Sequence, residues 1–174
     1  FSEGITAETI AKAIATFERT VVSGPSPFDR WIEGDESALS DSAKRGFELF
    51  NGKAKCSACH SGWNFTDNKF HDIGLPTLDE GRFVIDPSSE LNRHAFKTPG
   101  LRNITHRAPY MHNGSLANLD AVLVHYLSGG LPRPSRSADI GFLPLMNDDL
   151  TDLKAFLHTL QGEDQPMSLP ALPL

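Results

Sequence analysis

Five consecutive residues, Cys56-Ser57-Ala58-Cys59-His60, carry the densest chemistry in the chain. Two thiols at this spacing fall on one side of a helical turn, and the adjoining imidazole projects toward the centre of whatever the thiols hold. The pattern suits a covalently attached c-type haem, with the thiols added across the two vinyl groups and His60 as the fifth iron ligand. A structural zinc site would need two more strong ligands with short spacing of their own, yet the chain has only 2 cysteines, both in this motif. A redox dithiol expects a βαβ setting, which the helical pattern described below denies. No cysteine is left for a disulfide framework.

An iron held by His60 has a second face to fill. Downstream candidates are Met111, Met146, Tyr126 and the histidines His71, His94, His106, His112, His125 and His158. His158 suits the C-terminal turn of a helix, where its ring interacts with the dipole. His94 and His106 lie in polar loops, and Met146 precedes the last helix. Residue chemistry leaves Met, His and Tyr open. The choice matters, because a thioether raises the haem potential whereas a phenolate favours the ferric and higher states. A bound cation also lowers the phenol pKa enough to ionise it.

The elements that must position these groups are mostly α-helical. Residues 6 to 22 form an amphipathic pattern, with Thr6 as N-cap, Glu8 in the first turn, and Ile10, Ala13, Ile14, Phe17 and Val21 on one face. Ser23-Gly24-Pro25-Ser26-Pro27 ends it. A second helix starts at Ser40 and presents Phe47, Leu49 and Phe50 just ahead of the cysteines. From Ser61 to about Ala108 the Gly, Pro, Asn and Asp content implies a long ordered loop. Helical signal returns at Asn118, with Leu119, Val122, Leu123 and Tyr126 on one stripe, and stops at Gly129-Gly130. The last helix runs from about Asn147 to Gln161 with Leu150, Leu153, Leu157 and Leu160 inward, and Gly162 follows it. No period-two strand pattern and no internal repeat is evident. The domain reading is one haem domain: residues 1–39 as an N-terminal helix and linker packing on it, 40–162 as the haem-binding core, and 163–174 as an extended Pro-rich tail.

With 174 residues and 39% hydrophobic content, the chain suits a single domain with its own core. A net charge of −6 without clustered Lys and Arg argues against nucleic acid. No run approaches the roughly 18 apolar residues of a membrane span. The chain opens at Phe1 with neither Met nor signal-type segment, which suggests a processed end or a fragment boundary.

Further motifs carry a resemblance. Phe96-Lys97-Thr98-Pro99-Gly100-Leu101-Arg102-Asn103-Ile104 and Ala108-Pro109-Tyr110-Met111-His112-Asn113-Gly114 resemble segments of the bacterial di-haem cytochrome c peroxidase and MauG family. So do Phe28-Asp29-Arg30, Lys44-Arg45-Gly46 through Phe50, and Phe70-His71-Asp72-Ile73-Gly74-Leu75. Several unconnected motifs recur in the same order over nearly the whole chain. The resemblance implies a c-type cytochrome domain with long ordered loops, forming the C-terminal half of a di-haem protein. The peroxide-reacting haem would lie in an N-terminal half, so this half carries no catalytic acid and shares electrons instead.

In that family the second axial ligand of this half is Met in ordinary peroxidases and Tyr in MauG, and the matching position is Tyr126. His125 and Met111 are the fallbacks. The resemblance also implies a calcium ion held by backbone carbonyls at Arg107 and Pro109, as suits a hard cation. One departure is Ala54, two residues before the first haem cysteine, where MauG carries a tryptophan that relays electrons from its protein substrate; Trp31 and Trp63 do not match that site. The expected function is a periplasmic oxidoreductase that uses hydrogen peroxide to oxidise a redox-protein donor or a protein side chain. The expected partner is the N-terminal haem domain of the same protein. The alternative is a mono-haem cytochrome c electron carrier without peroxide chemistry.

Overall fold

A computed structural model describes residues 2–163. The Pro-rich tail, apart from Glu163, lies outside the described residues. Among the described residues five α-helices are joined by 3-10 turns and long loops: α1 (Ala7–Glu18), α2 (Pro27–Ile32), α3 (Asp41–Asn51), α4 (Leu119–Ser128) and α5 (Asn147–Thr159). The only sheet among the described residues pairs β1 (Phe70–His71) antiparallel with β2 (Phe96–Lys97), placing Phe70 opposite Lys97 and His71 opposite Phe96. Two residues per strand are too few to leave an alternating pattern in the sequence.

The helix starts follow side-chain capping. Ser40 accepts from the Ala43 N–H at 3.2 Å to open α3, and Asn118 accepts from the Ala121 N–H at 2.9 Å to open α4. Gly129 closes α4 with φ +79°, a left-handed conformation that costs glycine little. The sequence reading gave no helix at 27–32. There Ser26 and Asp29 cap each other reciprocally and Pro27 occupies the first turn, so the Pro-rich break that ends α1 also starts α2.

The core lies between α3 and α5. Phe50, Leu153, Phe156 and Leu160 are buried there, and Phe28 packs on Phe156 edge to face while Phe47 packs on it at a tilt. Gly46 lets the helices meet: a Cβ at this position would lie 1.9 Å from the Asp152 carbonyl oxygen. Arg45 clamps the same contact through two bonds to the Asp152 carboxylate at 2.7 and 2.8 Å, and the Ser42 hydroxyl donates to it at 2.6 Å. α4 joins α5 through Leu119, Leu123 and the Lys154–Asp120 pair.

The expectation that the N-terminal helix packs on the core needs correcting. α1 has the expected Thr6 cap, but it ends at Glu18, and Ile10, Ile14, Phe17 and Val21 stand exposed. Its apolar stripe is left uncovered by the described residues. The linker does pack, through Phe28 and the fully buried Ser26.

The long loop is ordered by polar nodes. Asp72, 1% exposed, accepts the Arg133 fork, the Ser135 hydroxyl at 2.7 Å and the Gly74 N–H at 2.8 Å. Burial alone would raise its carboxyl pKa, but these donors hold it low. Among the described residues no helix is long and apolar enough to cross a membrane.

Candidate haem site

Cys56, Cys59, His60 and Tyr126 line one cavity of about 390 Å³ with a mostly apolar wall. The segment Cys56–Ala58 forms a 3-10 turn four residues after α3, and the Ala54 N–H bonds the Leu49 carbonyl at 2.9 Å, so the tightly packed helix helps fix where both thiols emerge. Burial pushes the Cys56 thiol up to about 12 and also raises Cys59, which faces Asp67. Both are free thiols, poor in thiolate at neutral pH, which is unlike an exchanging dithiol.

His60 Nδ1 lies 3.0 Å from the Phe65 carbonyl. The carbonyl must accept, so Nδ1 carries the proton and Nε2 keeps its lone pair for a metal. Burial lowers the His60 pKa, and the Phe65 and Pro99 carbonyls only partly oppose it. The neutral, ligating form is therefore favoured. Phe65 adopts φ +53°, uncommon for a bulky residue. There its carbonyl serves His60 while its ring packs on Phe28 and Phe50.

Tyr126 lines the same cavity from α4. Its hydroxyl has no hydrogen-bond partner among the described residues, whereas Tyr110 behaves as an ordinary core tyrosine and donates to the Ile104 carbonyl at 3.0 Å. Burial, followed by the nearby Cys56 and Cys59 thiols, raises the Tyr126 pKa and keeps the phenol neutral. A cation against that oxygen would reverse the balance and ionise it. An unpartnered oxygen beside two thiols and a free imidazole nitrogen fits a haem whose iron takes a ligand from each side.

The other candidates separate by geometry. His125 lies off the cavity and donates Nε2–H to the Ile73 carbonyl at 3.0 Å. Met111 lines the cavity from a turn with φ +71°. His71, His94 and His112 also line it, but His71 is bonded to Asp67 at 2.7 Å, His94 to the Asp79 carbonyl at 2.6 Å, and His112 stacks on Phe96. Burial opposes it, yet the His71 bond, with further help from Lys69 and Thr98, brings Asp67 down to about 2. Met146, His106 and His158 are exposed and away from the cavity. Arg107 and Pro109 lie at its exposed rim, flanking a cis Ala108–Pro109 bond, and their carbonyls accept no hydrogen bond among the described residues.

Trp63 is 75% exposed, and Trp31 packs on Phe28 and Phe47 with its indole N–H on Glu36. Ala54 is buried. The sequence reading missed the role of Phe65, because a left-handed bulky residue leaves no pattern. It also missed the Asp29–Arg102 pair, although both residues stood in motifs that had been singled out.

A family model described as cytochrome c matches residues 43–161, and one described as di-haem cytochrome c peroxidase matches residues 1–37. The chain belongs to the cytochrome c family. Membership brings covalently bound haem c, in keeping with the cavity. Among relatives, the methylamine utilization protein MauG of Methylorubrum extorquens is 52% identical over 174 residues, covering 98% of this chain and 49% of the relative. The protein of the same name from Methylophilus methylotrophus is 48% identical, covering 98% of this chain and 52% of the relative. A solved MauG-like protein associated with microbial copper homeostasis superposes with a TM-score of 0.79 at 32% identity, over 92% of this chain and 59% of that one. The chain spans about half the length of the curated relatives it matches.

Proposed function

We propose that this chain is the electron-sharing haem domain of a periplasmic di-haem peroxidase or MauG-like oxidase, which uses hydrogen peroxide to oxidise a cytochrome or a protein side chain. In this reading Cys56 and Cys59 would form the thioethers, His60 Nε2 and the Tyr126 oxygen would hold the iron, and residues 40–162 would be the haem-binding core. The observation that carries it is the convergence of two thiols, a free imidazole nitrogen and an unpartnered phenol on one apolar cavity. When bound, haem c supplies a one-electron iron couple whose potential the axial residues set.

The chain's own residues hold and orient. Phe65 fixes the His60 tautomer, the α4 stripe of Leu119, Val122 and Leu123 keeps the wall apolar, and Tyr126 would hold the group through a phenolate oxygen, its proton released to solvent. The peroxide-reacting haem would lie in an N-terminal domain outside this chain, and the Arg107 and Pro109 carbonyls are offered to a calcium ion at the boundary. The exposed α1 stripe and the di-haem peroxidase match over residues 1–37 favour such a partner domain over a mono-haem carrier.

The test combines acid–acetone extraction with intact mass of the full native protein. Colour retained on the polypeptide and a mass accounting for two haems are expected. Haem that washes out would overturn the thioether assignment, and a single haem would favour the carrier. In Tyr126→Phe the ferric spectrum should change, and an unchanged spectrum would return Met111 to the sixth position.

A further inference from the structure

We infer that Asp29 and Arg102 form a positioning latch that sets the orientation and electron donation of His60 from outside the cytochrome c core. The inference rests on His60 being the axial ligand. Arg102 uses three donors on two targets: Nη1 and Nη2 each meet an Asp29 oxygen at 2.8 Å, while Nε donates to the Trp63 carbonyl at 2.8 Å. Trp63 lies three residues after His60 and two before Phe65, within the loop whose Phe65 carbonyl takes the His60 proton. Inside that loop Thr66 N–H bonds Ser61 at 2.8 Å and Phe65 N–H bonds Gly62 at 3.1 Å, so a pull at Trp63 reaches Phe65 through a short, closed run of backbone.

Asp29 is equally fixed at its own end. It accepts from the Ser26 N–H at 2.8 Å and the Ser26 hydroxyl at 2.7 Å while capping α2. The Arg102 guanidinium, against some burial, holds its carboxyl down at about 2, so the pair stays charged at any working pH. Asp29 belongs to residues 1–37, matched by the di-haem peroxidase model, and lies outside residues 43–161, matched as cytochrome c. The linker therefore reaches the iron ligand through one fork of hydrogen bonds.

Only arginine supplies this geometry, because a lysine ammonium cannot span both carboxylate oxygens while donating sideways to a carbonyl. A firm Nδ1–H to carbonyl bond makes the imidazole a stronger electron donor and stabilises ferric iron. Loosening the loop weakens that bond and raises the potential.

The experiment uses the full-length holoprotein. In Arg102→Lys, exchange of the His60 Nδ1 proton with solvent, followed by NMR of the paramagnetic ferric form, should quicken on the order of tenfold, as expected when a charge-assisted bond is lost. The reduction potential should rise. Asp29→Asn should move both readouts the same way by less, and it decides the matter if Arg102→Lys does not fold. Asp152→Asn, which weakens the α3–α5 contact, should lower the melting temperature without moving either readout. If both latch variants melt lower but keep native exchange and potential, the pair is merely structural and the inference fails. Haem that is not covalently held in the native protein would instead remove the His60 assignment, and the latch with it.

Discussion

The two walls of the cavity are built on opposite terms. The His60 wall is held by polar contacts that leave Nε2 free: Nδ1 on Phe65, the Trp63 carbonyl on Arg102, and the thiol turn following a helix that touches α5 backbone at Gly46. The Tyr126 wall presents an apolar helical stripe, with one hydroxyl that has no partner among the described residues, and Met111 lines the same cavity from a turn. The difference teaches where the fold is rigid for its own sake and where it waits for a ligand. On the proposed reading, the tyrosine oxygen that faces this cavity without a partner among the described residues is the one the bound group would complete.

The largest break in this comparison comes from Gly46→Ala. A Cβ placed 1.9 Å from the Asp152 carbonyl forces α3 away from α5, and overpacking of this kind costs about 3 kcal/mol or more. Chemical denaturation should show that loss, together with poor haem retention, because the thiol turn moves with α3. A near-native unfolding midpoint would mean that the helices separate easily.

Next in size is the contrast between the two tyrosines. Tyr126→Met should raise the reduction potential by on the order of 100 mV, equivalent to about 2.3 kcal/mol for one charge, since a thioether no longer favours ferric iron. Tyr110→Phe should leave spectrum and potential alone and cost roughly 1 kcal/mol of stability, because the Ile104 carbonyl loses one of its two donors and keeps only the Arg107 N–H. Equal spectral effects at both positions would erase the distinction between the walls.

A smaller effect is expected in acid. Asp29 is held at about 2 when folded, against an ordinary 3.8, so its contribution is fully present above 3.8 and lost as pH falls through about 2. Thermal melts across that window should therefore drop more steeply for the native chain than for Asp29→Asn. Parallel curves would show that the carboxylate is not favoured by folding. The smallest effect belongs to α1: Phe17→Ser removes an exposed ring and should change stability by less than about 0.5 kcal/mol, as measured by denaturant titration. A large loss would place α1 on the core after all.

Much of this arrangement was legible in the residues, for local reasons. Ser40, Asn118 and Gly129 are short-range signals, so α3 and α4 begin and end where capping chemistry requires. Cys56, Cys59 and His60 lie within one turn, and their spacing alone implies the cavity. What was not legible depends on distant partners. His125 and Tyr126 are neighbours on one helix, and the difference between them comes from the Ile73 carbonyl, 52 positions away, which occupies the histidine and leaves the tyrosine bare. The α1 stripe reads the same whether its cover lies in this chain or elsewhere. α2 was hidden for a different reason, since the prolines that break one helix also begin the next.

Asp72 carries a consequence for heat. Its buried carboxylate ties the chain at 72–74 to Arg133 and Ser135, close to where α4 ends, and the Leu131 N–H bonds the Gly74 carbonyl at 2.8 Å in the same patch. The dehydration cost of such an ion pair shrinks as temperature rises, whereas apolar burial gains little more. This knot therefore weakens less on warming than the aromatic core does, and amide exchange at Gly74 and Leu131 should remain slow at temperatures where α1 already exchanges freely. The tyrosine-bearing wall, bare as it is, is tethered at the end that melts last.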